Sequence, residues 1–301
     1  MLIADLGDDG RFRTLRDEIA FPRLGKGIDK SGLISDESIG RVLSVLKDCR
    51  KLSTDSGSGR IIACGTSALR DAKNRDEVIQ RIRDELSITV EVLSGEEEAQ
   101  WTFIGALTDE EQSPTRSGRD DRRFAVLDIG GGSTEITLGT PTHADRRHSI
   151  DVGCVRLTER FLQSNPPTPE ELQRATVSVR RGLVGLGDID PERYKLVGVA
   201  GTLTTLAALD QNLSRFETGK VDGHLLPLER IRRIFEQIRT QTVHQLQSSP
   251  VISSGRADVL LAGILILIEF MTLQRFERIT VSDRGLRYGL LVREFERMEE
   301  I

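Results

Sequence analysis

Short apolar runs alternate with amphipathic segments along most of the chain. Each apolar run predicts a buried strand, and each segment with apolar residues three or four positions apart predicts a helix. This alternation is typical of an α/β protein built around sheets. The predicted strands lie at 1–5, 12–19, 60–64, 88–93, 124–127, 136–138, 195–200, 221–226 and 278–282. The predicted helices begin near 35, 66, 74, 94, 154, 170, 202, 228, 259 and 286.

One long polar interval interrupts this pattern between 108 and 123, where the sequence is charged, contains proline and lacks an apolar period. Such an interval is typical of a linker or surface loop between domains. We therefore predict an N-terminal domain at 1–118 and a C-terminal domain at 119–301, each centred on a sheet. In open sheets ligands bind beyond the strand ends, so a cleft between the two halves is the expected site.

The stretch from Phe124 to Leu138 predicts a strand, a tight turn at Gly130, Gly131 and Gly132, and a second strand. Three glycines allow the backbone to turn with positive φ and to approach a ligand closely. Their N–H groups, with the hydroxyls of Ser133 and Thr134 beside them, form a nest for anionic oxygens. Asp128 and Glu135 flank the turn and could hold a cation or a water against a phosphate. The alternative is an ordinary glycine-rich hairpin.

Three helix starts carry further candidates for binding and catalysis. Gly65 and Thr66 precede a helix with Arg70 one turn on, and Gly201 with Thr202 repeats the pattern. N–H groups at such helix starts suit an anion, although a plain capped helix is the alternative. Ser94 is followed by three glutamates, 96–98, which favour a helix N-terminus. At 100° per residue the three side chains point in different directions, and one of them could face inward.

Composition excludes several functional classes. Of 301 residues, 4% are aromatic and the net charge is -5, which argues against a nucleic-acid partner. The most apolar segment, 259–270, is too short to span a membrane, so no membrane association is predicted. The three cysteines form no C-x-x-C and predict reduced thiols in a cytoplasmic protein. The four histidines lack zinc-ligand spacing.

Taken together, seven motifs resemble the exopolyphosphatase / guanosine pentaphosphate phosphohydrolase family of the actin, sugar-kinase and heat-shock ATPase superfamily. The resemblance runs over nearly the whole chain. It implies two actin-like (ribonuclease H-like) domains with an interdomain cleft, and a C-terminal helix at about 290–301 that packs back on the first domain. The motifs are TSALRDAKN (66–74), SGEEEA (94–99), DIGGGSTE (128–135), GCVR (153–156), GT (201–202), RAD (256–258) and SDRGLR (282–287).

The resemblance also implies a role for each candidate residue. Glu98 would be the general base that activates the attacking water, which singles out one glutamate of the three. Asp128 and Glu135 would hold Mg²⁺ on the bound phosphate and take part in catalysis. The substrate would be polyphosphate or guanosine pentaphosphate, between which the sequence does not decide, and a homodimer is compatible with these expectations. The residues expected to bind substrate are Arg70, Gly130, Gly131, Gly132, Ser133, Thr134, Gly201, Thr202 and Arg287.

The start of the chain departs from the family pattern. Family members open with a strand and a first phosphate loop of the type Asp-Ile-Gly-Ser-Asn-Ser, whereas this sequence begins at the family's second strand. Either the true start lies upstream, or the chain is a non-catalytic binder of polyphosphate or alarmone. A sugar or acetate kinase is a third hypothesis. The glutamate at the 94–98 helix start argues against it. The end near 301 favours an enzyme acting on shorter chains.

Overall fold

A computed structural model describes residues 1–7, 12–20, 22–108, 122–141 and 143–299. The chain divides into two compact units. Unit 1 comprises residues 1–98, and unit 2 comprises residues 99–108 together with the chain from 122 onward. The interval in which we expected the domain boundary lies mostly outside the described residues.

Unit 1 contains two separate two-stranded sheets. Strands β1 (Leu2–Leu6) and β2 (Phe12–Asp17) are antiparallel, and β3 (Ala63–Gly65) and β4 (Val90–Val92) are parallel. The hairpin turn expected at 8–10 lies outside the described residues. The strand expected at 60–64 begins only at Ala63, because Ile61 and Ile62 are 46% and 37% exposed rather than buried.

The helices of unit 1 pack around one apolar cluster that includes Ile39, Leu43, Val78 and Ile82. Ser35 caps the second helix, as predicted, by accepting a hydrogen bond from the Ser38 N–H. The first helix is short and lies within a segment expected to be loop. The helices are α1 (Ile28–Ser31), α2 (Asp36–Asp55), α3 (Ser67–Asp71) and α4 (Arg75–Leu86). A fifth, α5 (Gly95–Leu107), begins in unit 1 and continues in unit 2.

Unit 2 is built on a six-stranded mixed sheet with the order β7-β6-β5-β8-β10-β9. Antiparallel pairing joins β5 to β6 and β6 to β7, whereas β8 runs parallel to both β5 and β10. The strands are β5 (Arg123–Ile129), β6 (Thr134–Thr140), β7 (His143–Ile150), β8 (Tyr194–Val199), β9 (Leu225–Pro227) and β10 (Arg278–Val281).

Helices cover both faces of this sheet. Alternate residues of β5 point to opposite faces, so Leu127 joins the main core while Val126 packs with Phe103 of α5. The helices are α6 (Cys154–Phe161), α7 (Pro169–Leu183), α8 (Ala200–Asp210), α9 (Thr218–Val221), α10 (Leu228–Ile238), α11 (Val243–Gln247), α12 (Leu260–Leu273) and α13 (Leu286–Glu299). Among the residues described, no helix is long and apolar enough to cross a membrane.

One sequence expectation differs from the structure in unit 2. The strand expected at 221–226 begins at Leu225, because α9 ends at Val221 and Gly223 adopts a left-handed turn with φ of 73°. Trp101 of α5 is half-buried, whereas Phe103 is fully buried. The C-terminal helix α13 contacts α5 at Trp101 and Gly105, which lie within the expected N-terminal domain at 1–118 but group with unit 2.

Candidate functional site

The β5–β6 hairpin brings two carboxylates together. The register pairs Asp128 directly with Glu135, so both side chains lie on the sheet face that carries Val126. Glu135 is 5% exposed, and its Oε1 accepts a hydrogen bond from Ser149 Oγ at 3.0 Å. A buried carboxylate held in this way is oriented before any ligand arrives.

The turn between these strands is tight but uses no left-handed glycine. The N–H of Gly130 donates to Ser133 O at 3.0 Å, and none of the three glycines has positive φ. The expectation of positive φ was therefore wrong. Close packing favours glycine at two of the three positions, because a Cβ on Gly131 would lie 3.3 Å from Val155 Cγ2 and one on Gly130 would lie 3.1 Å from Ser133 O.

The carbonyls of the turn cap the start of α6. Gly130 O accepts from the Cys154 N–H at 2.9 Å, and Gly131 O accepts from the N–H groups of Val155 and Arg156 at 2.9 and 3.1 Å. Gly153 permits this approach, because a Cβ there would lie 2.4 Å from Gly131 O. The peptide carbonyls of the turn are thereby fixed in direction.

The amides of the turn face the other way. In the described part of the chain, the N–H groups of Gly131 and Gly132 have no hydrogen-bond partner. They are the donors that an anionic oxygen could use. The two hydroxyls are placed differently. Ser133 is 8% exposed, and Thr134 is fully buried with its Oγ1 donating to Val152 O at 2.5 Å.

The Gly201–Thr202 helix start lies at the first turn of α8, after Ala200, which has a φ of 67°. Thr202 is 2% exposed and packs on α12, where a Cβ on Gly263 would lie 2.3 Å from Thr202 Oγ1. Its hydroxyl therefore faces the protein interior. Gly201 is the position of this pair that a guanidinium group approaches.

Arg256 is the residue that approaches it, and we assigned this arginine no role from sequence. A Cβ on Gly201 would lie 1.4 Å from Arg256 Nη1, so the guanidinium occupies the space of the missing side chain. Burial lowers the pKa of Arg256. Because an arginine stays charged under ordinary conditions, a half-buried cation lies at the N-terminus of α8. The motif RAD at 256–258 was the signal in the sequence.

In unit 1, Glu98 is the one glutamate of the 96–98 run whose side chain is largely shielded from solvent. Its Oε2 accepts from Arg70 Nη1 at 2.9 Å, and its side chain is 15% exposed. Glu97 instead caps the helix, with its Oε2 accepting from the Ser94 N–H at 2.8 Å. Glu96 is exposed. The helix start therefore uses one glutamate for capping and one for the ion pair.

The candidate residues fall into two sets, one in each unit. Arg70 and Glu98 lie together in unit 1, and the hairpin residues lie together in unit 2. Arg287 is half-buried in the first turn of α13, after β10.

The hairpin suits Mg²⁺. Within the described ranges no cluster of three or more metal-ligating side chains occurs. Mg²⁺ is usually held by one or two carboxylates, with water and substrate phosphate completing its shell. The pair Asp128 and Glu135 provides that number of ligands.

The chain belongs to the Ppx/GppA phosphatase family, which it matches over residues 2–298. It is 33% identical to exopolyphosphatase 2 of Mycobacterium tuberculosis over 96% of this chain and 93% of that protein. Among solved structures it is similar to an exopolyphosphatase from Cytophaga hutchinsonii, with a TM-score of 0.86, 29% identity, and coverage of 98% and 93% of the two chains. A Ppx/GppA family member from Aquifex aeolicus gives a TM-score of 0.79 at 30% identity over 99% and 94%. The expected α/β, actin-like fold is confirmed.

Proposed function

We propose that this protein is an exopolyphosphatase that hydrolyses the terminal phosphate of inorganic polyphosphate. The observation that carries the proposal is the β5–β6 hairpin. There the amides of Gly131 and Gly132, which have no partner among the described residues, lie in the turn between two strands in which Asp128 pairs directly with Glu135. The mycobacterial relative named exopolyphosphatase 2 supports the same substrate class.

Hydrolysis of a phosphoanhydride requires a positioned water and neutralised phosphoryl oxygens more than it requires covalent catalysis. In our proposal Glu98 accepts a proton from the attacking water while the water oxygen forms a bond to the terminal phosphorus. The bridging P–O bond breaks, and its electron pair stays with the oxygen of the shortened chain. One orthophosphate and one chain that is shorter by one phosphate result.

The protein's own donors neutralise the substrate charge. Hairpin amides bind oxygens of the phosphate chain, and Arg70, Arg256 and Arg287 supply positive charge. Asp128 and Glu135 would hold Mg²⁺, which would supply further charge neutralisation on the phosphate oxygens. Because the Arg256 guanidinium lies beside Gly201, it would act on a phosphate group at the start of α8.

Replacing the proposed base tests the function. Glu98→Gln keeps the size of the side chain but cannot take the proton, so phosphate release from polyphosphate should fall by roughly 10²- to 10⁴-fold. Glu96→Gln is the matched control, because Glu96 is an exposed glutamate in the same helical turn. Unchanged release by Glu98→Gln would refute Glu98 as the base, and no release by the unaltered protein would refute the function.

Guanosine pentaphosphate is the second candidate substrate, because the family that the chain matches includes GppA phosphatases. Its 5′ γ-phosphate presents the same phosphoanhydride chemistry as the end of polyphosphate. A competition assay distinguishes the two. If polyphosphate is the substrate, guanosine pentaphosphate should compete only at much higher concentration, and the reverse order would favour the second candidate.

A further inference from the structure

Helices α5 and α13 meet through their backbones. A Cβ on Gly289 would lie 1.8 Å from Trp101 O, and a Cβ on Gly105 would lie 2.0 Å from Gly285 O and 2.6 Å from Gly289 N. No real Cβ approaches other atoms so closely, and backbone atoms cannot move aside as a side-chain tip can. All of these residues group with unit 2. Glycine is therefore required on both sides of this contact.

Arg284 adds a hydrogen bond to this packing at the C-terminal end of α5. Its Nη1 donates to Thr108 O at 2.5 Å, one residue beyond the last residue of α5. A cation is favoured at a helix C-terminus, where carbonyls lack helical partners. The guanidinium also lies 5.6 Å from the ring centre of Tyr288, which is only 5% exposed. A guanidinium packed against a buried ring has little freedom to move away from the C-terminal end of α5.

The sheet holds α5 immediately after its first turn. Thr137 Oγ1 donates to Ala99 O at 3.5 Å, and Arg147 Nη2 donates to Gln100 Oε1 at 3.2 Å. The residues that follow Glu98 in the helix are thus restrained by β6 and β7, and the later turns are restrained by α13. Contacts with β6, β7 and α13 therefore restrain the helix that carries Glu98 along most of its length.

We propose that Gly105, Gly289 and Arg284 are positioning residues for Glu98, acting by fixing the axial position of α5. None of them needs to contact substrate. An α-helix transmits displacement along its axis because its backbone hydrogen bonds are continuous. A shift of about 1 Å in a catalytic group can lower the rate about 100-fold. The inference rests on the proposed function, in which Glu98 is the base.

Gly289→Ala is the direct test. Its new methyl group would displace α5 from α13, so kcat for phosphate release should fall roughly ten- to 100-fold while KM changes little. Trp101 is the only tryptophan, and its carbonyl is the atom that the methyl group would contact. Its fluorescence emission should therefore shift in the variant, which reports displacement independently of activity.

Gly182→Ala is the matched control. Gly182 is also a helical glycine of unit 2, but a Cβ there would meet a side-chain atom, Val152 Cγ2, at 2.7 Å. This variant should lose stability while keeping kcat and the Trp101 emission. If Gly289→Ala also keeps both, the positioning role is refuted.

A double variant separates this inference from the proposed function. If Glu98 is already misplaced in Gly289→Ala, adding Glu98→Gln should cost much less than it does in the unaltered protein. Losses that simply multiply would overturn the positioning role and leave Glu98 as the base. No loss from Glu98→Gln alone would instead refute Glu98 as the base, and no release by the unaltered protein would refute the proposed function.

Arg284→Gln covers the case in which Gly289→Ala does not fold. It removes the guanidinium from Thr108 O without adding volume in the helix contact. We expect a smaller fall in kcat, an unchanged KM and a shift in Trp101 emission. Full activity with unchanged emission would overturn the role of the α5–α13 contact.

Discussion

Nη1 of Arg70 donates to two acceptors, Glu98 Oε2 at 2.9 Å and Leu93 O at 2.8 Å. The side chains of Arg70 and Glu98 are 25% and 15% exposed, so this ion pair is largely shielded from water. The carbonyl belongs to the end of the strand that leads into α5, which ties the arginine to the helix start. The second carboxylate oxygen, Oε1, has no partner among the described residues and is available to a water.

The first prediction is that Arg70 orients Glu98 as well as binding substrate. Arg70→Lys keeps the charge but loses the planar fork that a guanidinium offers to two acceptors. We expect kcat to fall about tenfold and KM for polyphosphate to rise, measured by initial rates of phosphate release. A pure substrate ligand would raise KM alone.

Arg75→Lys is the control for this prediction. Arg75 begins α4, its side chain is 49% exposed, and its Nε lies 3.5 Å from the exposed carboxylate of Asp76. A surface pair of this kind contributes little, so both constants should stay unchanged. Equal effects at both positions would show that a general effect of replacing arginine by lysine, and not the pairing with Glu98, lowers the rate.

The second prediction concerns the hydrogen bond from Ser149 to Glu135. Partners that orient a metal-binding carboxylate typically change metal affinity about ten- to 100-fold when removed. Ser149→Ala should therefore weaken Mg²⁺ binding by about tenfold, measured by calorimetry without substrate and by the Mg²⁺ dependence of phosphate release. Ser164→Ala, a serine of unit 2 in the turn after α6, is the control. Identical Mg²⁺ affinity in both variants would contradict the orienting role.

The sequence predicted the hairpin and the inward glutamate because both depend on local patterns. Apolar runs around a glycine turn define β5 and β6, and Asp128 pairs with Glu135 because the turn sets the register. The choice of Glu98 over its neighbours came from the resemblance to a family, and the structure places that residue against Arg70.

What the sequence missed depends on contacts between distant segments. Arg256 lies 55 positions from Gly201 in the chain, and only tertiary packing brings its guanidinium to that glycine. The reason for the glycines of the turn was missed in the same way. The approach of α6 favours Gly131, as its contact with Val155 shows, and closeness to Ser133 O favours Gly130, and neither glycine has positive φ. Single-residue conformational preference cannot reveal such neighbours.

The third prediction tests the support that α6 gives to the phosphate turn. Gly153→Ala would place a methyl group 2.4 Å from Gly131 O, so the turn must move and its amides would lose their direction. We expect KM for polyphosphate to rise at least tenfold, with a loss of stability of about 1–3 kcal/mol, measured by kinetics and urea unfolding. Gly185→Ala is the control, because a Cβ there meets nothing within 4 Å. An unchanged KM in Gly153→Ala would show that the turn does not depend on this glycine.

The fourth prediction follows from the burial of Cys154 beneath the same turn. All three cysteines are free thiols, and burial raises the pKa of Cys154 to about 11. The neighbouring Arg256 charge acts in the opposite direction but is outweighed. Because the folded protein favours the neutral thiol, Cys154 contributes stability that is fully present below about pH 9 and is lost as the pH rises towards 11.

A shift of about two pKa units corresponds to roughly 2–3 kcal/mol of unfolding free energy. Between pH 9 and pH 11 the unaltered protein should therefore lose more stability than Cys154→Ala, measured by urea unfolding at several pH values. Cys49, whose pKa burial also raises, is present in both proteins, so its titration cancels in the difference. Parallel pH profiles would mean that the Cys154 thiolate forms at no extra cost, and hence that water reaches the underside of the phosphate turn.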